Sequence, residues 1–193
     1  MGIKKEKRRS KNHRAVFLDR DGVINRALIN NSKPYPPTNF NEFNILPHVV
    51  EACKKLKEAG YMLVVATNQP DVGRGTLSQN VVEEMHAFLL KNLSIDRVEV
   101  CYHPGRGQSN CDCRKPLPGM LLRASQELRL DLSESWMVGD RFRDIMCGQA
   151  AGCRTILVGG GYNEESPVVP DFRASNLAEA VAKILSCAML GPC

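Results

Sequence analysis

One stretch of the sequence, Tyr61 to Thr67 (YMLVVAT), constrains the fold more than any other. It is a short, continuously apolar run, and such runs are typical of strands that are buried on both faces of a parallel sheet. The polar residue Asn68 follows it directly. A sheet that contains such a strand must be covered by helices on both faces, so this run predicts an α/β fold.

Shorter apolar runs alternate with amphipathic segments along the rest of the chain. Further strands are predicted at residues 15–18, 98–102, 136–138 and 155–158. Helices are predicted at 49–59, 78–92, from about 118, at 142–151 and from 175 or 176 to about 185. The Pro- and Asn-rich stretch 30–43 is predicted to be a loop. The alternation predicts an open parallel sheet with helices on both faces.

The length of 193 residues fits a single domain, which we place at residues 15–186. Residues 1–14 hold seven Lys or Arg and one Glu, a net charge of +6, and the whole chain carries +5, so the remainder carries −1. A basic segment of this kind is typical of a solvated, disordered tail. Residues 187–193 are predicted to form a short C-terminal tail. The nearly neutral body argues against nucleic acid as the partner.

Compartment and assembly follow from what the sequence does not contain. No run approaches the ~18 apolar residues that a membrane helix requires. The basic N-terminal stretch is not followed by an apolar core of a secretory signal. We therefore expect a cytoplasmic protein with no membrane partner, and we also expect a monomer. In that compartment, clustered members of the eight cysteines are expected to bind metal rather than to form disulfides.

The segment Asp19-Arg20-Asp21-Gly22-Val23 directly follows the first predicted strand. Two carboxylates at positions i and i+2 can share the work of phosphoryl transfer, since Asp19 can attack a phosphorus atom and Asp21 can give a proton to the leaving oxygen. Gly22 allows the backbone to turn sharply beneath a phosphate. Alone, the motif is weak, because acidic turns with Gly are common on surfaces.

Other polar residues at strand ends strengthen the pattern. Thr67 and Asn68 end the second strand and can donate hydrogen bonds to phosphate oxygens, and Lys115 offers a cation. Asp140 ends a later strand, and Asp144 lies one helical turn beyond it as a residue expected to support its neighbours. In a parallel sheet these strand ends share one edge, which is where ligands bind. Carboxylates gathered there suit Mg²⁺.

The ordered set DRDGV, TNQ, RKP and GDRFRD resembles the haloacid dehalogenase (HAD) phosphatase superfamily from residue 15 to about 158. The resemblance implies a HAD-like Rossmannoid fold and an aspartyl-phosphate mechanism, with Asp19 as the nucleophile and Asp21 as the general acid and then base. It implies that Thr67 and Lys115 hold the phosphoryl group. It also implies a Mg²⁺ cofactor bound by the Asp19 carboxylate, the Asp21 backbone carbonyl and Asp140.

A second signal consists of two Cys- and His-containing pairs, Cys101-x-His103 and Cys111-x-Cys113. Three thiolates and one imidazole form a tetrahedral zinc site, and four protein ligands leave no position for a reactive water. The sequence therefore predicts a structural Zn²⁺ in a loop spanning residues 101–113. Since Arg114 and Lys115 follow directly, the metal would order the loop that presents these cations.

A HAD core with this cysteine loop followed by Arg-Lys-Pro resembles the heptose 1,7-bisphosphate 7-phosphatases and the related histidinol-phosphate phosphatases. That resemblance implies a small phosphorylated sugar as substrate, with Arg114 and Arg141 in contact with it. Asn68 and Gln69, beside Thr67, are assigned to substrate binding as well. Residues 27–30 occupy the place of another loop that contacts substrate.

The spacing between motifs leaves no room for a separate cap domain, so a capless site is predicted, with the zinc loop as a partial wall. Three alternatives stay open: a histidinol-phosphate phosphatase, a polynucleotide 3′-phosphatase, and a non-catalytic zinc-binding interaction module. The third would be expected to lack a motif carboxylate, and none is missing here. Further His, Cys and Trp residues are expected to be surface or core residues, with two free cysteines in the C-terminal tail: His48, His86, Cys53, Cys147, Cys153, Trp136, Cys187 and Cys193.

Overall fold

The computed structural model describes residues 13–30, 33–105, 111–159 and 168–190. Its strands are β1 (Ala15–Leu18), β2 (Leu28–Asn30), β3 (Lys33–Tyr35), β4 (Met62–Asn68), β5 (Arg97–Cys101), β6 (Trp136–Gly139), β7 (Arg154–Val158) and β8 (Phe172–Ala174). Its helices are α1 (Val49–Glu58), α2 (Pro70–Gly73), α3 (Gln79–Asn92), α4 (Gly119–Leu128), α5 (Phe142–Ala151) and α6 (Leu177–Leu190), with one 3₁₀ turn at Phe40–Glu42.

Six strands form one parallel sheet in the order β5-β4-β1-β6-β7-β8. The central strand β1 alternates its side chains between two fully buried layers. Val16 and Leu18 pack with residues of α1, α3 and α6, while Ala15 and Phe17 pack with residues of α4 and α5. The predicted parallel sheet with helices on both faces is confirmed, and the carboxyl ends of β1, β4 and β6 lie side by side.

The prediction of a continuous loop over residues 30–43 is wrong. β2 and β3 pair as an antiparallel hairpin, with Leu28 opposite Tyr35 and Ile29 opposite Pro34. Proline suppresses strand predictions because it cannot donate to a ladder. A two-stranded ribbon has two outer edges at which a missing donor costs little, so it accommodates Pro34.

The C-terminal boundary also differs from the prediction. α6 continues to Leu190 instead of ending near residue 185, and Cys187, predicted to lie in a tail, is buried against the core. At the other end, residues 1–12 of the predicted basic tail lie outside the described residues. His13 and Arg14 belong to the folded domain, because the backbone N–H of His13 donates to Arg129 and the Arg14 guanidinium donates to the Ala59 carbonyl.

Most predicted helix and strand positions agree with the structure to within one or two residues. Ser78 occupies the position before α3 without a capping hydrogen bond from its side chain. Besides the hairpin and the 3₁₀ turn, two further elements, α2 and β8, were not predicted. In the described ranges, no helix combines the length and apolar character needed to cross a membrane.

Candidate active site

A cavity of about 310 Å³ opens at the carboxyl ends of the central strands. Asp19 follows β1, Thr67 and Asn68 end β4, and Asp140 follows β6, and all four line this cavity with Lys115. Gly22 has a φ of 93°, in the region that favours glycine, and the turn closes with a 2.7 Å hydrogen bond from its N–H to the Asn25 carbonyl. The acidic strand ends thus meet as the sequence predicted.

A buried cation stands between two carboxylates on the floor of this cavity. Lys115 Nζ lies 2.8 Å from Asp19 Oδ1 and 2.6 Å from Asp144 Oδ1. Burial alone would lower the pKa of Lys115, but Asp144 and Asp19 outweigh it and raise the pKa. Burial raises the pKa of Asp19 to about 6, while Lys115 opposes the rise and Asp144 adds to it.

Both carboxylate oxygens of Asp144 are engaged by other residues of the protein. Its Oδ1 holds Lys115, and its Oδ2 accepts the backbone N–H of Arg141 at 3.0 Å, which fixes the first turn of α5. Its Cβ and carboxyl group lie so close to the end of β6 that a Cβ on Gly139 would come within 2.1 Å of the Asp144 Cβ. Glycine at residue 139 therefore makes room for Asp144 to reach Lys115.

The donor set fits the divalent cation that the sequence predicted. Carboxylate oxygens of Asp19, Asp140 and Asp144 lie within 4.8 Å of one another, and all three residues are buried. The ammonium group of Lys115 balances only one negative charge, so three ionised carboxylates would leave the cluster with a net negative charge. Mg²⁺ prefers such oxygen ligands. With Asp144 engaged by Lys115 and Arg141, the carboxylates best placed to hold Mg²⁺ are those of Asp19 and Asp140.

The Asp21 carboxylate is held by donors from three other side chains. Arg20 donates from Nε and Nη2 over 3.0–3.2 Å, Asn25 donates from Nδ2 at 2.9 Å, and Gln69 donates from Nε2 at 2.7 Å. Arg20, Asn25 and Gln69 are all fully buried. This set of bonds restricts the carboxylate to one orientation at the wall of the cavity.

Two residues assigned to substrate binding make contacts of a different kind. Gln69 is fully buried and donates to Asp21 and, at 3.0 Å, to the Thr67 hydroxyl oxygen. Asn68 lines the cavity, but its amide exchanges two 3.1 Å hydrogen bonds with the backbone of Lys115. Both side chains therefore orient catalytic candidates. Thr67 lines the cavity itself, as a residue that holds the phosphoryl group must.

Four arginines gather at the mouth of the cavity: Arg74, Arg114, Arg141 and Arg143. Burial lowers the pKa of Arg114, and Arg143 and Arg74 lower it further. Burial also lowers the pKa of Arg141, again with a contribution from Arg143. Arg143 therefore lies close enough to repel both Arg114 and Arg141, whereas Arg74 is paired with Asp71 at 2.9 Å, and the mouth of the cavity carries several cations. Such a region attracts an anion.

The hairpin supplies the opposite wall. Pro34 and Tyr35 of β3, with Pro36 beyond it, line the cavity. The segment 27–30, predicted to occupy the place of a loop that contacts substrate, consists of Ala27 and the strand β2. In the described residues between β1 and β4, only this hairpin, the 3₁₀ turn and α1 occur, so the predicted capless architecture is confirmed.

The second predicted metal cluster also forms. One ligand atom from each of Cys101, His103, Cys111 and Cys113 lies within 4.8 Å of the others. His103 Nδ1 is 3.4 Å from the Cys101 sulfur and 3.2 Å from the Cys113 sulfur. Tetrahedral zinc with Cys and His ligands places ligand atoms roughly 3.5 Å apart, so the cluster fits Zn²⁺. Residues 106–110, between the two pairs, lie outside the described residues.

Sequence reasoning did not single out several residues of the site. Arg20 and Asn25 act on Asp21 from within the first motif and its turn, Arg74 reaches the cavity from the residue after α2, and Arg143 from α5. His86, assigned to a structural role, contacts the Arg20 guanidinium. Arg20 could have been found from the sequence, because it stands between the two aspartates of the first motif. No neighbouring residue in the sequence points to His86.

Comparison with known proteins gives a consistent result. Residues 112–183 match the family described as HAD-hydrolase-like. A Yersinia pestis protein named D-glycero-beta-D-manno-heptose-1,7-bisphosphate 7-phosphatase is 34% identical over 178 residues, covering 86% of this chain and 92% of that protein. A Pseudomonas aeruginosa protein of the same name is 39% identical over 149 residues, covering 76% and 81%.

Among solved structures, the chain is similar to the D,D-heptose 1,7-bisphosphate phosphatase from B. bronchiseptica, which was solved with magnesium and phosphate. The TM-score is 0.76 at 28% identity, over 90% of this chain and 98% of the other.

Proposed function

The chain belongs to the heptose 1,7-bisphosphate 7-phosphatase family of HAD phosphatases, and from this premise we propose that it removes the 7-phosphate of D-glycero-D-manno-heptose 1,7-bisphosphate. The reaction would serve the synthesis of nucleotide-activated heptose. Two kinds of support come from the site: a nucleophile and a proton donor at one cavity wall, and a separate cluster of cations at its mouth.

In the first step, an oxygen of Asp19 attacks the phosphorus, forming an Asp19 O–P bond while the bond to the sugar oxygen breaks. Lys115, 2.8 Å from Asp19, stabilises the charge on the transferring group, and Thr67 donates to one of its oxygens. Asp21 gives its proton to the departing sugar oxygen, which leaves as a neutral alcohol.

In the second step, the roles reverse. The Asp21 carboxylate removes a proton from water, the water oxygen attacks the phosphorus of phospho-Asp19, and inorganic phosphate departs as Asp19 is regenerated. Mg²⁺ held by Asp19, Asp140 and the Asp21 carbonyl would supply the charge that lets an anionic carboxylate approach an anionic phosphate.

The observation that carries the choice of a bisphosphate is the arginine cluster at the mouth of the cavity. Lys115 and the metal-binding carboxylates account for the reacting phosphate at the floor. Arg114 and Arg143 supply positive charge farther out, where they can bind a second phosphate on the same molecule, and Arg74, held by Asp71 at 2.9 Å, stands beside them. A substrate with one phosphate and a cationic end, such as histidinol phosphate, would meet repulsion there.

The zinc cluster and the setting of the enzyme complete the proposal. We assign Cys101, His103, Cys111 and Cys113 to a structural Zn²⁺ that orders the approach to Arg114 and Lys115. None of the seven cysteines within the described ranges forms a disulfide, which suits the cytoplasm, where thiols stay reduced. We propose that the protein is a monomer, as expected from the sequence, and sedimentation would test this.

The test is phosphate release, with Mg²⁺ present, from heptose 1,7-bisphosphate, histidinol phosphate and a 3′-phosphorylated oligonucleotide in parallel. We expect strong preference for the heptose and its loss in Asp19→Asn, which keeps the shape of the side chain and removes the nucleophile. Leu122→Ala, an exposed position on α4, is the matched control and should keep full activity.

Comparable weak turnover of all three compounds would refute the substrate assignment and leave the phosphatase chemistry standing. No turnover of any compound would refute both and favour a binding module.

A further inference from the structure

The orientation of Asp21 depends on a guanidinium that is itself held from behind. Arg20 is fully buried, and its Nε and Nη2 donate to the Asp21 carboxylate. Its remaining terminal nitrogen, Nη1, lies 3.3 Å from Nε2 of His86 on α3. Because a guanidinium is rigid and planar, a contact at Nη1 also sets the direction in which Nε and Nη2 point.

The hydrogen-bond roles in this contact follow from chemistry. An arginine nitrogen has hydrogens and no acceptor capacity, so His86 Nε2 must accept and the ring proton must reside on Nδ1. Nδ1 lies 3.5 Å from Glu83 Oε2, which favours that tautomer. Burial, with Arg20 second, lowers the pKa of His86 to about 4, so the ring is neutral near pH 7 and keeps its acceptor lone pair.

The contacts continue beyond His86 to the metal loop. The Tyr102 hydroxyl donates to Glu83 Oε1, and Tyr102 stands between the cluster residues Cys101 and His103. A continuous series of polar contacts therefore connects the backbone of the Cys/His cluster with the Asp21 carboxylate through four side chains, and each lies within 3.5 Å of the next.

We propose that His86 is a positioning residue for this reaction: by accepting from Arg20 it fixes the guanidinium that aims Asp21 at the leaving oxygen. The proposal rests on the proposed function only in requiring that Asp21 protonates the leaving group, and it holds for any alkyl phosphate substrate. Outer partners that orient metal-ligating residues typically contribute about 10–100-fold to activity, and we expect an effect of that order here.

Substrates with different leaving groups distinguish a positioning role of His86 from a merely structural one. An alkoxide leaves only if Asp21 protonates it as the P–O bond breaks, whereas p-nitrophenolate leaves as a stable anion without a proton. The ratio kcat/KM reports the steps up to phospho-Asp19. A misaimed Asp21 therefore lowers kcat/KM for an alkyl phosphate and spares it for p-nitrophenyl phosphate. A smaller folded fraction lowers both equally.

The experiment measures kcat/KM of His86→Leu and His86→Gln on heptose 1,7-bisphosphate, glycerol 3-phosphate and p-nitrophenyl phosphate. Leu fills the space without an acceptor, and the Gln carbonyl reaches the place of Nε2. For His86→Leu we expect a loss of about tenfold or more on the alkyl phosphates and less than about twofold on the nitrophenyl ester. His86→Gln should recover most of the loss.

Val82→Ala, also buried on α3, is the control for destabilisation, and its losses should be equal on all substrates. Thermal unfolding of each variant confirms that it is folded. If His86→Leu does not fold, kcat/KM on the alkyl and nitrophenyl phosphates is compared between His86→Gln and Glu83→Gln instead. The side chain of Glu83 is half exposed. Equal losses on every substrate, or no recovery in His86→Gln, would overturn the proposal and leave the proposed function intact. A wild-type protein that cleaves none of the compounds would overturn both.

Discussion

Replacing Lys115 by methionine removes a charge from the floor of the cavity while nearly preserving side-chain volume. The ammonium lies within 2.8 Å of two buried carboxylates, those of Asp19 and Asp144. At an effective dielectric constant near 20, each pair at that separation attracts by about 6 kcal/mol, and desolvation of the ammonium offsets much of this. Removing one partner of a buried ion pair usually costs about 3–5 kcal/mol, because the other charge is left uncompensated. We expect Lys115→Met to lower the free energy of unfolding by that amount.

The assay is urea unfolding without added Mg²⁺, followed by the fluorescence of Trp136, the single tryptophan, which is buried. The matched control is Lys54→Met, because Lys54 and Glu58 form a 3.9 Å pair with both side chains more than half exposed. Such pairs contribute about 1 kcal/mol or less. The double variant of Lys115→Met and Asp144→Asn removes the ammonium together with one of its carboxylates. It should be at least about 2 kcal/mol more stable than additivity predicts.

Two results would refute this reasoning. One is a similar cost for Lys115→Met and Lys54→Met, which would mean that the buried carboxylates do not depend on the ammonium. The other is an additive double variant, which would mean that Asp144 does not act through Lys115.

Three further predictions follow from the packing, the cluster and the buried histidine. Gly139→Ala places a Cβ 2.1 Å from that of Asp144, so unfolding free energy should fall by about 1–3 kcal/mol and kcat should fall with it; unchanged values in both would contradict the close packing. Cys113→Ser should lose bound zinc, measured by atomic absorption, and lower the thermal midpoint, whereas Cys53→Ser, outside the cluster, should keep its zinc. Burial, with the neighbouring guanidinium second, lowers the pKa of His86 from 6.5 to about 4. Between these values the unfolded chain binds a proton that the folded chain does not, so stability falls as pH falls through this window, by about 3 kcal/mol at most. His86→Gln should show a smaller fall between pH 7 and 4 in urea unfolding, and an equal fall would contradict the assignment.

The sequence alone determined five of the six strands of the sheet, the order of the motifs and the two metal-binding sets. Period and composition identify a strand such as β4 because burial on both faces leaves a continuous apolar run. The parallel connection then places Asp19, Thr67 and Asp140 at one edge, since all strands point the same way. Close spacing in the sequence similarly identified Cys101 and His103 as a pair of metal ligands. In each case the information was local or followed from a rule of topology.

Tertiary structure alone decided which side chains meet across long separations. Asp144 reaches back to Lys115 only because Gly139 leaves room, and His86 contacts Arg20, which is 66 positions earlier in the chain. The hairpin that walls the cavity was hidden by its proline. The periodicity of a sequence indicates whether a side chain is buried, but it does not identify the distant residue that pairs with a buried polar group. The orientation and the hydrogen-bond partner of such a group are determined only when the helices and strands pack together.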